Sequence, residues 1–160
     1  LRCNEKPIFF IDAIQGEQIY NLEKTSGDFI IQRRDHFFSY HLASGIDDVE
    51  QKITQVVRGA DLLNCTPSQL HVQHVLNLPS PSYCHLPIAV DLSGQKLSKQ
   101  NHAAPISAKN SAELLYNSLK FLGQMPSIDL VHANQNEIWS WAIENWRLDS
   151  VPKKSQQMIN

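Results

Sequence analysis

Short apolar runs dominate the first third of the chain, and helical periodicity takes over later. Pro7-Ile8-Phe9-Phe10-Ile11-Asp12 is an apolar run bounded by a proline and an acid, which predicts a strand, and Gly16 to Leu22 can return beside it across a turn. Asp28-Phe29-Ile30-Ile31-Gln32-Arg33-Arg34 is rich in β-formers, and the polar Asp35-His36 and aromatic Phe37-Phe38-Ser39-Tyr40 that follow predict a hairpin. From Tyr40 to Ile53 the spacing turns helical, weakened by Gly45. Thr54-Gln55-Val56-Val57-Arg58-Gly59 is a β-branched run closed by glycine, the pattern of a buried parallel strand. Thr66-Pro67 then sets a capping residue before a proline and opens a helix to about Leu78, with Leu70, His74 and Leu78 on one face. His85 to Leu92 is a further buried strand, interrupted by Pro87. Beyond a loop at 93–105, Ser111 to Leu122 and Asn136 to Trp146 are amphipathic helices. This order predicts an α/β fold, the second half of a doubly wound domain followed by a small helical extension.

Composition narrows the function classes without naming one. With 160 residues, 42% hydrophobic and 19% charged, the chain is long enough for one compact domain or a sizeable piece of a larger one. Cys3, Cys65 and Cys84 are an odd, widely spaced set, which suits a reducing compartment better than a disulfide scaffold. No apolar run approaches the roughly 18 residues of a membrane span, and no signal-peptide pattern opens the chain. A net charge of -2 excludes a binder that works by bulk positive charge. The charge is uneven: residues 1–95 carry seven Lys/Arg against eleven Asp/Glu, and residues 96–160 carry seven against five. The chain begins at Leu1, without an initiator methionine, as a processed protein or a fragment would.

Candidate chemistry gathers at strand ends. Arg58 closes a predicted strand, where ligands of open α/β sheets bind, and its fork suits a carboxylate or phosphate; a salt bridge to Asp61 or Asp48 is the plainer alternative. Asp91-Leu92-Ser93-Gly94-Gln95-Lys96-Leu97-Ser98-Lys99-Gln100 also follows a strand, with two lysines that could converge on an oligophosphate or stand in an ordinary basic loop. His71 and His74 are three apart on a predicted helix, but no cysteine or carboxylate at convincing spacing completes a metal site, so none is expected. Cys65 and Cys84 read as small buried hydrophobes. Trp139 and Trp146, seven apart, read as core residues more readily than as base-stacking platforms.

Taken in order, Tyr40, Val57-Arg58-Gly59-Ala60-Asp61-Leu62, Asn64-Cys65-Thr66-Pro67-Ser68-Gln69, His85-Leu86-Pro87 and Lys96-Leu97-Ser98-Lys99 resemble the C-terminal half of a class I glutamyl-tRNA synthetase catalytic domain. Asp28 to Asp35, Lys96 to Ala103 and the late Asn145-Trp146-Arg147-Leu148 with Val151-Pro152 are more closely similar to the glutamyl-queuosine tRNA(Asp) synthetases, paralogues without an anticodon-binding domain. The resemblance runs from about residue 8 to 152. It implies a Rossmann-type domain in which residues 1–95 form the C-terminal half of the catalytic nucleotide-binding domain, with an antiparallel insertion at its start. Residues 96–160 would hold the KMSKS-type loop and a helical region like those that contact a tRNA stem.

The resemblance also implies an activity. The family activates glutamate with ATP, accompanied by Mg2+, and transfers it to the queuosine base at the wobble position of tRNA(Asp). Tyr40 and Arg58 would contact glutamate, Lys99 would act catalytically on ATP, and Lys96, Leu97, Ser98 and Gln100 would complete the ATP-binding loop. The expected protein is a cytoplasmic monomer. The alternatives are an ordinary glutamyl-tRNA synthetase charging tRNA(Glu) and a non-catalytic, synthetase-derived tRNA-binding module. Three positions depart from the family pattern: His41 replaces an asparagine, Ser44-Gly45-Ile46 stands in place of valines, and Lys52 stands where glycine is common. The HIGH-like motif and the cysteine-rich zinc-binding insertion that precede this region in the family do not occur in these residues. The expectation is that the chain is the C-terminal portion of a longer enzyme. ATP–pyrophosphate exchange measured on these 160 residues alone should therefore give no signal, and turnover would contradict that expectation.

Overall fold

The apolar run after Pro7 forms β1 (Ile8–Asp12), and β2 (Gly16–Tyr20) returns antiparallel to it, with Ile8 opposite Tyr20 and Asp12 opposite Gly16. The computed structural model describes residues 1–98, 103 and 105–159. These fall into two units, Leu1–His85 and Leu86–Asn160.

In the first unit, a short helix, α1 (Leu22–Thr25), follows the hairpin, and α2 (Tyr40–Glu50) is capped by the Ser39 hydroxyl, which accepts from the Leu42 N–H. β3 (Gln55–Gly59) leads through a 3-10 turn at Ala60–Cys65 into α3 (Thr66–Val75), and β4 (Ser82–Leu86) completes a sheet of order β2-β1-β4-β3. β1 and β4 run parallel. As the edge strand, β3 is less buried than its β-branched run suggests, and Val57 is 55% exposed. α2 and α3 pack closely at Gly45, where a Cβ would lie 3.5 Å from Val72 Cγ1. The glycine that weakens the helical pattern therefore marks a close helix approach.

Two expected strand segments take a different form in the structure. Asp28 to Tyr40 forms the turn but not the strands: Gln32 and Phe38 make an isolated antiparallel bridge, with Ile30, Phe37 and Phe38 exposed. Among the described residues no further strand pairs with this segment to extend a ladder, so its β-formers stay irregular. The strand expected over His85 to Leu92 is two strands. Pro87 has no N–H to give a ladder, and the chain passes at that point from β4 to β5 (Ile88–Val90).

In the second unit, β5 pairs in parallel with β6 (Gln156–Met158), a polar segment without strand patterning. α4 (Ser111–Phe121) and α5 (Gln135–Asn145) pack through Tyr116, Leu119, Ile138 and Ala142. A capping box starts α5: Asn134 Oδ1 accepts from the Glu137 N–H while the Glu137 carboxylate accepts from the Asn134 N–H. The core face of α5 is Ile138 and Ala142, so Trp139 and Trp146 stay half-exposed beside Leu122 and Ile143 and do not form the core as expected.

Three helices end in the same way. After α2, α3 and α4, residues Lys52 (φ 57°), Asn77 (φ 52°) and Gly123 (φ 73°) adopt the left-handed conformation. In each case the next N–H reaches back to a carbonyl of the last turn, Ile53 to Asp48, Leu78 to Gln73 and Gln124 to Leu119. Asn77 thus stops α3 at Val75, short of the expected Leu78. Lys52 holds a conformation that costs a side chain roughly 1 kcal/mol and glycine nothing, which gives the family's glycine there a physical reason. A Cβ on Gly123 would fall 2.1 Å from the Ser150 carbonyl oxygen. In urea unfolding, Lys52→Gly should stabilise the protein by about 1 kcal/mol and Gly123→Ala should destabilise it by at least about 2 kcal/mol. A loss with Lys52→Gly would contradict the end-cap account.

Candidate functional site

The sheet and α3 converge on one guanidinium. Arg58 sits near the end of β3, one residue before Gly59 and the turn that opens α3. Its Nε donates to His85 Nε2 at 3.0 Å, and its Nη2 donates to Thr66 Oγ1 and Gln69 Oε1, both at 2.8 Å, and to the Leu62 carbonyl at 3.5 Å. Its Nη1 donates to the Tyr40 hydroxyl at 3.3 Å. The Tyr83 ring lies beneath the guanidinium, 5.6 Å from its carbon. These acceptors are all neutral; Asp48, one of the alternative partners expected from sequence, feels the Arg58 charge but, among the described residues, takes no hydrogen bond from it. A cation so braced hydrogen-bonds to neutral groups among the described residues and presents Nη1 beside a phenol, an arrangement suited to an incoming carboxylate.

Behind Arg58 stands a buried pair. Asp12 and His85 are 1% and 0% exposed, and His85 Nδ1 lies 2.6 Å from Asp12 Oδ2. The other carboxylate oxygen, Oδ1, accepts from the backbone N–H groups of Ile14, Gln15 and His85. The Arg58 Nε–H can only donate, so His85 Nε2 is an acceptor and Nδ1 carries the proton given to Asp12. The same lone-pair side of His85 is reached by the Thr66 hydroxyl at 3.3 Å.

The sequence singled out Arg58 and Tyr40, and the structure brings them together. Thr66, Gln69 and His85 lie in segments that carry the family resemblance but have no site role in the sequence reading, and Asp12 has none either. The sequence pattern makes Thr66 the helix cap; in the structure Cys65 occupies that place without a side-chain cap bond, and Thr66 is already helical, which turns its hydroxyl to Arg58. Thr66 and Gln69 lie three apart at the start of α3, hence on one face, and that spacing was the available signal.

The lysine loop belongs to the second unit. Asp91 Oδ1 accepts from the Ser93 N–H, the Ser93 hydroxyl and the Gln95 N–H, Gly94 turns at φ 80°, and Val90 bridges antiparallel to Lys96. Leu97 N–H donates to the Ala89 carbonyl, and the Ser98 carbonyl accepts from Ala103 N–H. Lys99 and Gln100 lie outside the described residues. His71 and His74 do not form a pair: His71 is buried with Nε2 at 2.8 Å from the Arg2 carbonyl, and His74 is exposed. Among the described residues, no group of three or more His, Cys, Asp or Glu side chains gathers as a metal site. All three cysteines are free, Cys84 buried and Cys65 partly so. No helix among the described residues is long and apolar enough to cross a membrane.

The family model for class I tRNA synthetases (E and Q), catalytic domain, matches residues 2–140, and the chain belongs to that family. A glutamyl-Q tRNA(Asp) synthetase of Aromatoleum aromaticum is 46% identical over 149 residues, covering 93% of this chain and 47% of that protein. One from Methylococcus capsulatus is 43% identical over 152 residues, 95% of this chain and 50% of that protein. The chain thus spans about half the length of the curated relatives it matches. A glutamate-tRNA synthetase structure from Elizabethkingia anophelis superposes with a TM-score of 0.72 at 22% identity, over 98% of this chain and 35% of that one, which shows the shared fold.

Burial sets the ionisation of the site. It pushes the His85 imidazole below its ordinary 6.5, a shift that the Asp12 bond opposes and the Arg58 charge reinforces. His41, whose ring meets Phe29 edge-on, is lowered by burial and by Arg58. For Asp12, burial pushes upward, but hydrogen bonds from Gln15, His85 and Ile14 outweigh it and hold the carboxyl below its ordinary 3.8. Burial pushes the Tyr83 phenol up to about 12. Groups with a depressed folded pKa bind protons more readily when unfolded. The histidines therefore stabilise the fold fully above 6.5 and lose that contribution as pH falls below it, and Asp12 follows below 3.8. Urea midpoints should drop between pH 7.5 and pH 5. A midpoint equal or higher at pH 5 would contradict the neutral, buried His85.

Proposed function

We propose that the full-length protein is a glutamyl-Q tRNA(Asp) synthetase: it activates glutamate with MgATP and transfers it to the queuosine base at the wobble position of tRNA(Asp). The observation that carries this reading is the braced Arg58, whose Nη1 points to the Tyr40 hydroxyl while its hydrogen-bond acceptors among the described residues are all neutral. A carboxylate of glutamate accepts from Arg58 Nη1 and from the Tyr40 phenol, and this fixes the amino acid for reaction. The 46% identity to a protein of that name supports the choice of acceptor.

In the activation step a glutamate carboxylate oxygen bonds to the α-phosphorus of ATP and the bond to pyrophosphate breaks. Negative charge grows on the departing phosphates. Lys99 meets that charge, and a lysine that binds the phosphates more tightly in the transition state than before it raises kcat. Lys96, Leu97, Ser98 and Gln100 shape the loop that carries it, and the Asp91-anchored turn gives this loop a fixed base. In this reading residues 1–95 supply the glutamate-binding half of the catalytic domain, and residues 96–160 supply the lysine loop and the helices that meet the tRNA. Mg2+ arrives with ATP, zinc belongs to the part of the enzyme outside these residues, and the enzyme works as a cytoplasmic monomer.

Incubation of the full-length protein with labelled glutamate, ATP and queuosine-containing tRNA(Asp) should label that tRNA, and tRNA(Asp) lacking queuosine should stay unlabelled. Label on tRNA(Glu) would contradict the proposal in favour of an ordinary glutamyl-tRNA synthetase. Absence of both labels would favour a non-catalytic tRNA-binding module.

A further inference from the structure

Asp12 and His85 make no direct approach to the Nη1 side of Arg58, yet they determine how the guanidinium lies. Arg58 has two kinds of partner. Thr66, Gln69 and Leu62 take Nη2, where an oxygen acceptor could be replaced by water without changing any proton's place. His85 takes Nε, and a histidine ring nitrogen is an acceptor in only one of its two neutral tautomers. The choice between them is made on the far side of the ring. Asp12 Oδ1 is held by three backbone N–H groups, so Oδ2 alone faces Nδ1, and a carboxylate oxygen there accepts only a proton-bearing nitrogen. The ring is locked further by stacking on Tyr83, with centroids 6.0 Å apart and planes 12° apart.

We propose that Asp12 and His85 are positioning residues for the substrate-binding arginine: Asp12 holds His85 with its proton on Nδ1, and the lone pair left on Nε2 orients the Arg58 guanidinium so that Nη1 meets the glutamate carboxylate. This rests on the reading of Arg58 as the carboxylate anchor. It makes a residue 46 positions upstream of Arg58 a determinant of glutamate affinity without contact to glutamate.

The chemistry of one substitution isolates the effect. In Asp12→Asn the three backbone donors still require an oxygen at the Oδ1 place, so the amide nitrogen must occupy the Oδ2 place, facing His85 Nδ1. That nitrogen donates, the neutral ring must accept at Nδ1, and its proton moves to Nε2. There it confronts the Arg58 Nε–H, donor against donor, over a distance now 3.0 Å. The guanidinium must turn or withdraw.

The test uses the full-length protein, 15N-labelled in histidine, with the His85 signals assigned by their loss in His85→Gln. The expected wild-type spectrum at neutral pH shows a neutral ring protonated at Nδ1, and Asp12→Asn shows protonation at Nε2. In ATP–pyrophosphate exchange, Asp12→Asn should raise the glutamate KM about tenfold and leave the ATP KM unchanged. His85→Gln, whose amide oxygen can stand in for Nε2, should keep a glutamate KM nearer the wild type than the apolar, similarly shaped His85→Met. A wild-type ring that is charged or protonated at Nε2, equal glutamate KM values in the Gln and Met variants, or a parallel rise in both KM values with Asp12→Asn would overturn the proposal. Arg58→Lys separates the underlying reading. If that variant leaves the glutamate KM untouched, the carboxylate anchor is wrong whatever the tautomer; if it raises the KM while the Asp12 and His85 variants do not, only the positioning proposal falls.

Discussion

A buried carboxylate, a buried imidazole and a half-buried guanidinium in series are the constraint around which the first unit is arranged. Asp12 ends β1, His85 belongs to β4 and Arg58 to β3, while Thr66 and Gln69 come from α3 and Tyr40 from α2. Asp12, His85 and Arg58 satisfy one another in turn, and that is the condition under which buried polar groups can be tolerated, although the buried Gln69 Nε2 has no partner among the described residues. Removing one partner of such a pair leaves a buried group without compensation, typically a loss of about 3–5 kcal/mol. The series therefore couples the order of the strands to the aim of one side chain. Sheet geometry and ligand geometry become one requirement.

That coupling explains which parts of the site could be read from the chain. Arg58 announces itself locally, at the end of a β-branched run before glycine, whereas Tyr40 is marked only by the family resemblance. Asp12 and His85 do not announce themselves, because their meaning lies in a contact across 73 positions that no local pattern encodes. Thr66 carries the composition of a cap, and local propensity was overridden by the guanidinium that its hydroxyl meets. α4 and α5 were legible to within a residue, since their apolar spacing is what packs them, while α2 and α3 end three residues before their expected limits, at left-handed caps. The polar β6 was not, since its place comes from pairing with β5 alone. The aromatic run from Phe37 failed as a strand for the converse reason: strong β-formers without a neighbouring strand to pair with.

The departures from the family pattern also acquire physical content. Lys52 supplies the left-handed cap that glycine would supply without strain, so the substitution spends stability and leaves the site untouched. Gly45 lies where α2 and α3 meet, buried against Val72, and a larger residue there would act on α3 and hence on the helix that carries Thr66 and Gln69. His41 is nearer the chemistry. It follows Tyr40 directly, packs on Phe29 and feels the charge of Arg58. Of the three, it is the one placed to alter affinity for the amino acid.

The central claim is that Arg58, held on its Nε and Nη2 atoms by the protein, uses Nη1 to bind a glutamate carboxylate. Titration calorimetry of the full-length protein with glutamate, in wild type and in Arg58→Gln, tests it most directly. Saturable binding to the wild type is expected, with an affinity at least about tenfold weaker in the variant, the loss that follows when a charge-assisted hydrogen bond is removed. Equal affinity in the two proteins would contradict it.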